Sequence, residues 1–220
     1  SGGYQTSGSN FLNAAGQVAG TSARVTGVQQ LNGYNTWAYN PQTNTTVQTG
    51  LTGVGYTGFM GYQFSGNRFQ NEVGQVAGIS LRTVGVSDIY GQDAWYFDPF
   101  TGVTTGIFGS ILSGVNFTST EPTLLTDGGF VLGNYTFVQS GNSVTRVFLF
   151  RPDLGLTDLG ALVSGGLTAN GWRTLQNPIF ADALTTLVGY GFVNGQTIGQ
   201  SVFVLNVPGP SAVGVLGLGR

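Results

Sequence analysis

The chain contains no cysteine, no histidine and no lysine, and its only charges are seven Arg and nine Asp or Glu among 220 residues. Each absence excludes something. Without Cys there are no disulfides and no thiolate metal sites, and without His no imidazole ligand and no Ser-His or Cys-His nucleophile pair. A formal net charge of −2 with no basic cluster is the wrong balance for nucleic acid, whose binding needs several phosphate-neutralising cations. No apolar run approaches the roughly 18 residues of a membrane-spanning helix. Nor does any segment hold a 3.6-residue apolar period for long; Ile179–Leu187 is the best helical stretch, and it is short. No secretory signal peptide is recognisable, so an exported form would be the mature one.

The low charge does not amount to disorder. Apolar residues make up 40% and aromatic residues 12% of the chain, whereas disordered sequences combine low hydrophobicity with high net charge. Glycine is abundant, at 38 residues, but it follows no three-residue period, which excludes collagen. A chain this long can bury roughly 70% of its unfolded surface and fold without covalent staples.

The dominant feature is internal repetition. With a shift of 58 residues, Gly3–Thr46 aligns with Gly61–Thr104 without gaps and with 21 identities in 44 columns. Gly16-Gln17-Val18-Ala19-Gly20 falls on Gly74-Gln75-Val76-Ala77-Gly78, and Arg24, Trp37 and Pro41 fall on Arg82, Trp95 and Pro99. Two fainter copies follow. Thr126–Gly133 matches Asn13–Gly20, and Val147–Pro152 matches Thr36–Pro41. Leu187-Val188-Gly189 and Gly199–Phe203 supply the last. The Gly that ends the first motif stands at 20, 78, 133 and 189, giving spacings of 58, 55 and 56. The expected organisation is one repeat domain over 1–206, with units of approximately 1–58, 59–116, 117–172 and 173–206, and a Pro/Gly-rich tail over 207–220.

Every unit reads as β. Gln17–Val25 is short, β-branched and Gly-interrupted, and Trp37-Ala38-Tyr39 and Trp95-Tyr96-Phe97 are aromatic runs stopped by Asn40-Pro41 and Asp98-Pro99. Thr45–Leu51 and Thr104–Phe108 are further strands, and another lies near Tyr4–Phe11 or Gly55–Phe64. Many short strands with Gly-rich turns predict an all-β fold. Four units of about 55 residues are best met by a small β-propeller of about four blades; the alternative is an elongated β-repeat stack with two free ends. In either case Trp37, Trp95, Phe148 and Phe203 form one inter-repeat core column, and the Gly column allows close backbone approach or a bulge.

Asn-x-x-Gly-Gln-Val-Ala-Gly followed by a Trp-x-Tyr-Asn-Pro strand resembles the repeats of bacterial extracellular HAF-type repeat proteins. The likeness covers the first two units well and the last two loosely. The end of the chain, Val207-Pro208-Gly209-Pro210 followed by Ala212–Gly219 and Arg220, is similar to a PEP-CTERM sorting tail in truncated form. Gly209 stands where such tails have Glu, the apolar stretch is only eight residues, and one Arg replaces a basic cluster. This resemblance implies export and removal of the tail by an exosortase-type membrane protease.

The residues offer little chemistry. Glycoside hydrolysis needs two carboxylates facing one cleft; Asp93 and Asp98 flank Trp95, but their first-copy counterparts are Asn35 and Asn40, and Asp98 suits a turn. Asp127-Gly128-Gly129 is a turn rather than a calcium loop, which takes several oxygen ligands. No catalytic residue, metal ligand or cofactor is therefore assigned. Arg24 and Arg82 suit structural ion pairs. Trp172, outside the aromatic column, is the one candidate for stacking on a sugar. Asn44-Thr45-Thr46, Asn116-Phe117-Thr118 and Asn134-Tyr135-Thr136 fit the N-glycosylation triplet, which a chain rich in Thr and Asn produces by chance.

Soluble β proteins commonly protect strand edges with charge, Lys above all. Here 7% of residues are charged, against about 25–35% of a designed soluble surface. The exterior must be carried by Thr, Ser, Asn, Gln and Gly. Such a surface suits self-packing or contact with neutral polysaccharide, outside the cell, in a matrix, sheath or filament. The expected function is a secreted, non-enzymatic structural repeat protein that assembles with itself or coats the cell exterior; the alternative is an extracellular carbohydrate-binding module. Neither nucleic acid nor a transmembrane segment enters either expectation.

Overall fold

The computed structural model describes residues 6–26, 30–58, 61–84, 88–107, 116–180, 186–193 and 200–207. Most of them are strand, and almost none is helix. The first four are β1 (Ser7–Leu12), β2 (Val18–Thr26), β3 (Gln30–Asn40) and β4 (Thr45–Thr49). The pattern recurs as β5 (Gln63–Gln70), β6 (Val76–Val84), β7 (Asp88–Asp98) and β8 (Val103–Gly106). It recurs again as β9 (Asn116–Leu125), β10 (Val131–Gln139), β11 (Asn142–Arg151) and β12 (Gly155–Asp158). A 3-10 turn at Leu159–Leu162 and the one-turn helix α1 (Gly166–Ala169) lead to β13 (Trp172–Phe180), β14 (Thr186–Val193) and β15 (Ser201–Asn206).

Each set is an antiparallel meander closed by turns whose chemistry is local. Asn13 accepts from the Gln17 amide with Oδ1 at 2.9 Å, while Gly16, at φ +76°, closes the turn onto the Asn13 carbonyl. Asn71 does the same for Gln75 at 2.9 Å, and Thr126 uses its hydroxyl to accept from Phe130 at 3.0 Å. Between β10 and β11 the two-residue link Ser140-Gly141 has both φ values positive, the backbone that matches strand twist in a tight hairpin.

The first three meanders join into one twelve-stranded sheet because β3 and β7 fork. The start of β3 pairs in parallel with β5 (Gly33 with Gln63, Tyr34 with Phe64), while Thr36–Asn40 pair antiparallel with β4. Likewise Gln92 of β7 pairs with Ser119 of β9, and Trp95–Asp98 pair with β8. Gly33 is required at the fork: at φ +94° it lies so near the Gln63 carbonyl that a Cβ would overlap it. Strands β13–β15 form a separate three-stranded sheet that packs on the third meander through an apolar cluster containing Leu132, Leu149, Trp172, Leu187 and Phe203.

The described strands do not pair into a closed barrel or ring; β1 is one edge of the large sheet and β12 the other. The short helical stretch expected over Ile179–Leu187 is not formed at either end. Ile179 and Phe180 finish β13, and Thr186 and Leu187 begin β14, because both flanks are held by cross-strand pairing. Among the described residues no helix is long and apolar enough to cross a membrane.

Candidate functional site

The aromatic column is built by cross-strand register. Gly20 lies opposite Trp37, Gly78 opposite Trp95, Gly133 opposite Phe148 and Gly189 opposite Phe203. In every pair the ring lies over the glycine so closely that a Cβ there would overlap it. The Gly at this column is the space into which the ring folds, which answers to its recurrence in all four units.

Alternation along each strand then gives every meander two apolar faces. The front face of the second unit carries Val76, Trp95 and Phe97, which meet Ala19, Ala38, Phe11 and Leu51 of the first. The back face of the second carries Ala77, Ala94, Tyr96 and Phe69, which meet Val131, Phe148 and Phe150 of the third. The third unit's Leu132, Val147, Leu149 and Leu124 meet Leu187, Phe203 and Leu205 of the fourth. Front meets back at each of the three junctions.

Polar ladders reinforce two of these junctions. The Asn13 amide donates to the carbonyls of Asn71 and Glu72, both at 3.1 Å, and the Asn71 amide donates to the Thr126 carbonyl at 2.8 Å. The Ala14 amide donates to the Glu72 carboxylate at 3.0 Å, and the Glu72 amide to Asp127 at 3.2 Å. Asp127 thus spends an oxygen on the neighbouring unit.

Among the described residues, no apolar cluster covers the front face of the first unit. Trp95, Phe148 and Phe203 are fully buried, but Trp37 is half-buried. Its indole donates to the Ser7 hydroxyl at 3.1 Å. It lines an open groove of about 490 Å³ with Ser22, Asn35, Thr46 and Gln48. The comparison with the second unit is close. Ser7 and Ser22 share a hydrogen bond at 2.8 Å in the open, whereas Ser65 and Ser80 share the same bond at 2.7 Å in the buried interior, where the Leu51 amide also donates to Ser80 at 3.0 Å.

The other sequence candidates are accounted for by packing. Trp172 is not an exposed platform: it is 6% exposed, with its ring edge-on to Phe203 at 6.2 Å, so sugar stacking at this residue is withdrawn. Pairing with Val193 and the space above Gly191 draw the indole into the core. Asp98 holds a turn by accepting from the Phe100 amide at 2.9 Å, as Asn40 does for Gln42 at 2.9 Å. Asp93 is buried against Arg82, at 3.6 Å, and accepts from the Tyr56 hydroxyl at 2.6 Å. Asp93 and Asp98 therefore serve separate partners and do not form a hydrolytic pair.

Arg24 and Arg82 occupy equivalent positions in the first two units. Arg24 donates to Asn35 at 3.2 Å and to Gln63 at 2.5 Å. Arg82 pairs with Asp93, and in the third unit Arg146 pairs with Asp158 at 3.1 Å while Tyr135 donates to the same carboxylate at 2.8 Å. The sequence did not reveal this third cluster, in which Arg146 stands at the register position that Asn35 and Asp93 hold in the first two units. Burial pushes the Asp93 carboxyl above its ordinary pKa, against the opposing pull of the Tyr56 hydrogen bond and the Arg82 charge. Burial, then Asp93 itself, pushes the Tyr56 hydroxyl far above its ordinary value. The Asp93 and Asp158 carboxylates are each held between an Arg and a Tyr. Among the described residues no group of three His, Cys, Asp or Glu side chains could hold a metal ion. Of the tail, Val207 is buried in the last apolar cluster; Pro208, Gly209 and Pro210 lie outside the described residues. No protein-family model matches the sequence, and no curated protein does.

Proposed function

We propose that this chain is a secreted, non-enzymatic structural repeat protein that assembles with copies of itself, forming or coating a layer on the cell exterior. The observation that carries this reading is the uncovered Trp37 face, whose counterparts in the later units are fully buried. A surface nearly free of charge supports it, because cohesion that is not ionic withstands changes in salt. The HAF-like repeats and the sorting-tail-like end support export from a bacterial cell. Of the two arrangements the repeat allows, the open stack is preferred to the four-bladed ring, since a ring needs its first and last units in contact. Sedimentation velocity and negative-stain imaging of the purified chain test the reading: higher-order species are expected, and a monomer at every concentration would refute it.

A second reading, a module for neutral polysaccharide, is favoured by one feature. The groove beside Trp37 is lined by hydroxyl and amide side chains without a charge, a lining suited to sugar hydroxyls around an aromatic platform. A monomer retained on a glycan array, with retention lost in Trp37→Ala, would favour this reading over assembly.

A further inference from the structure

Resting on the self-assembly reading above, we propose that the front face of the first unit is the docking site for the back face of the fourth unit of a second copy. The chains would then associate head to tail.

Strand register makes Ile179, paired with Val188, the counterpart of Phe11, Phe69 and Leu124, which pair with Ala19, Ala77 and Leu132. Those three side chains pack into the three inter-unit clusters. Ile179 is 60% exposed. Val202 is the counterpart of Thr36, Ala94 and Val147, all buried, yet it is 69% exposed; Val204 is the counterpart of Ala38, Tyr96 and Leu149, all buried, yet it is 42% exposed. The last unit therefore presents the surface that each earlier unit uses to cover its successor.

At the opposite end, Val18, Trp37 and Tyr39 are the counterparts of Val76, Trp95 and Phe97, and all three are only half-buried. One molecule thus carries both halves of a junction it already makes three times. Two faces that differ from each other but fit each other form a heterologous contact, which propagates along a line unless its rotation closes a ring. An apolar face of aligned aliphatic side chains rarely stays open in a soluble monomer. Arg24, beside the front groove, is held by hydrogen bonds to Asn35 and Gln63, and the exposed Arg173 of the last unit lies over the Phe192 ring.

The test uses one variant per face, each at an exposed position so that folding is spared. Gln48→Arg, in the groove beside Trp37, blocks the front; Val202→Glu blocks the back. Near-ultraviolet circular dichroism of the buried Trp95 and Trp172 checks the fold. The wild-type chain should sediment as a concentration-dependent ladder of multiples, and each variant alone as a monomer. An equimolar mixture should give a species of twice the monomer mass and nothing larger, because one intact front meets one intact back. Trp37→Gln mixed with Val204→Lys should repeat the result. A wild-type ladder that either variant leaves intact, or a mixture that stays monomeric, would overturn this docking while leaving self-assembly standing. If the ladder persists in Gln48→Arg but retention on a neutral polysaccharide is lost, the front face serves sugar and the proposal fails. A wild-type monomer throughout would overturn both readings.

Discussion

Gly78 lies directly beneath the indole of Trp95, across the β6–β7 ladder, so closely that the Cβ of any other residue would overlap the ring. Glycine is fixed here by the ring together with the Gly66 carbonyl oxygen, which a Cβ would also overlap, and the same combination of ring and carbonyl recurs at Gly20, Gly133 and Gly189. Gly78→Ala is expected to destabilise the chain by about 1–3 kcal/mol through overpacking. Gly66→Ala, whose Cβ would meet Phe64 at an ordinary 3.7 Å, should be near neutral. Urea unfolding of the two variants measures the difference.

The aromatic column predicts unequal costs for equal truncations. Trp95→Ala empties a fully buried site and should cost about 3–5 kcal/mol. Trp37→Ala removes a half-exposed ring and should cost less than half as much under conditions where the chain is monomeric. Equal losses in chemical denaturation would mean that the two rings have equivalent cover.

The Asn ladder separates turn formation from unit joining. Asn71 accepts from Gln75 within its own turn and donates to Thr126 in the next unit. Asn71→Ala loses both bonds, an expected cost of about 1–3 kcal/mol. Asn71→Thr supplies the residue found at position 126, keeps the acceptor and should recover part of the loss. Thermal unfolding of the pair, compared with wild type, reads this order.

Asp93 makes a pH prediction. Its pKa is raised in the folded chain, chiefly by burial. Folded protein therefore binds a proton at pH values where the unfolded chain is still ionised, so stability from this group falls as pH rises through the window above about 4, the ordinary Asp value. Below that window both states are protonated and the slope vanishes. Asp93→Asn, the residue that the first unit carries at position 35, should abolish this contribution. The wild-type minus variant difference in unfolding free energy, followed across pH, should become more favourable to wild type as pH falls.

Much of this arrangement is legible in the sequence because it is written twice. The pairing of a Gly with a ring, and the all-β character, follow from columns such as Gly20 and Gly78 or Trp37 and Trp95. What could not be read is how the units meet. Nothing in Thr36-Trp37-Ala38-Tyr39 says which alternate face turns to which neighbour; that depends on the fork of β3, fixed by the close approach of Gly33 to Gln63. Trp172 was unreadable for a related reason. Its burial depends on Val193 and Phe203, residues far along the chain in the most divergent unit. The helical pattern at Ile179–Leu187 was too short to outweigh the ladder that claims both its ends. The exposed side chains of β15 gain their meaning only by register with buried residues of the earlier units.

The most direct test of the stacked column is solvent access to its three indoles. In protein labelled with 5-fluorotryptophan and kept at monomeric dilution, fluorine NMR should give three resonances, assignable by Trp→Phe variants. A soluble paramagnetic agent should broaden Trp37 strongly and leave Trp95 and Trp172 sharp. Broadening of Trp95 to the same degree, or protection of Trp37 in the monomer, would contradict an open stack of equivalent units.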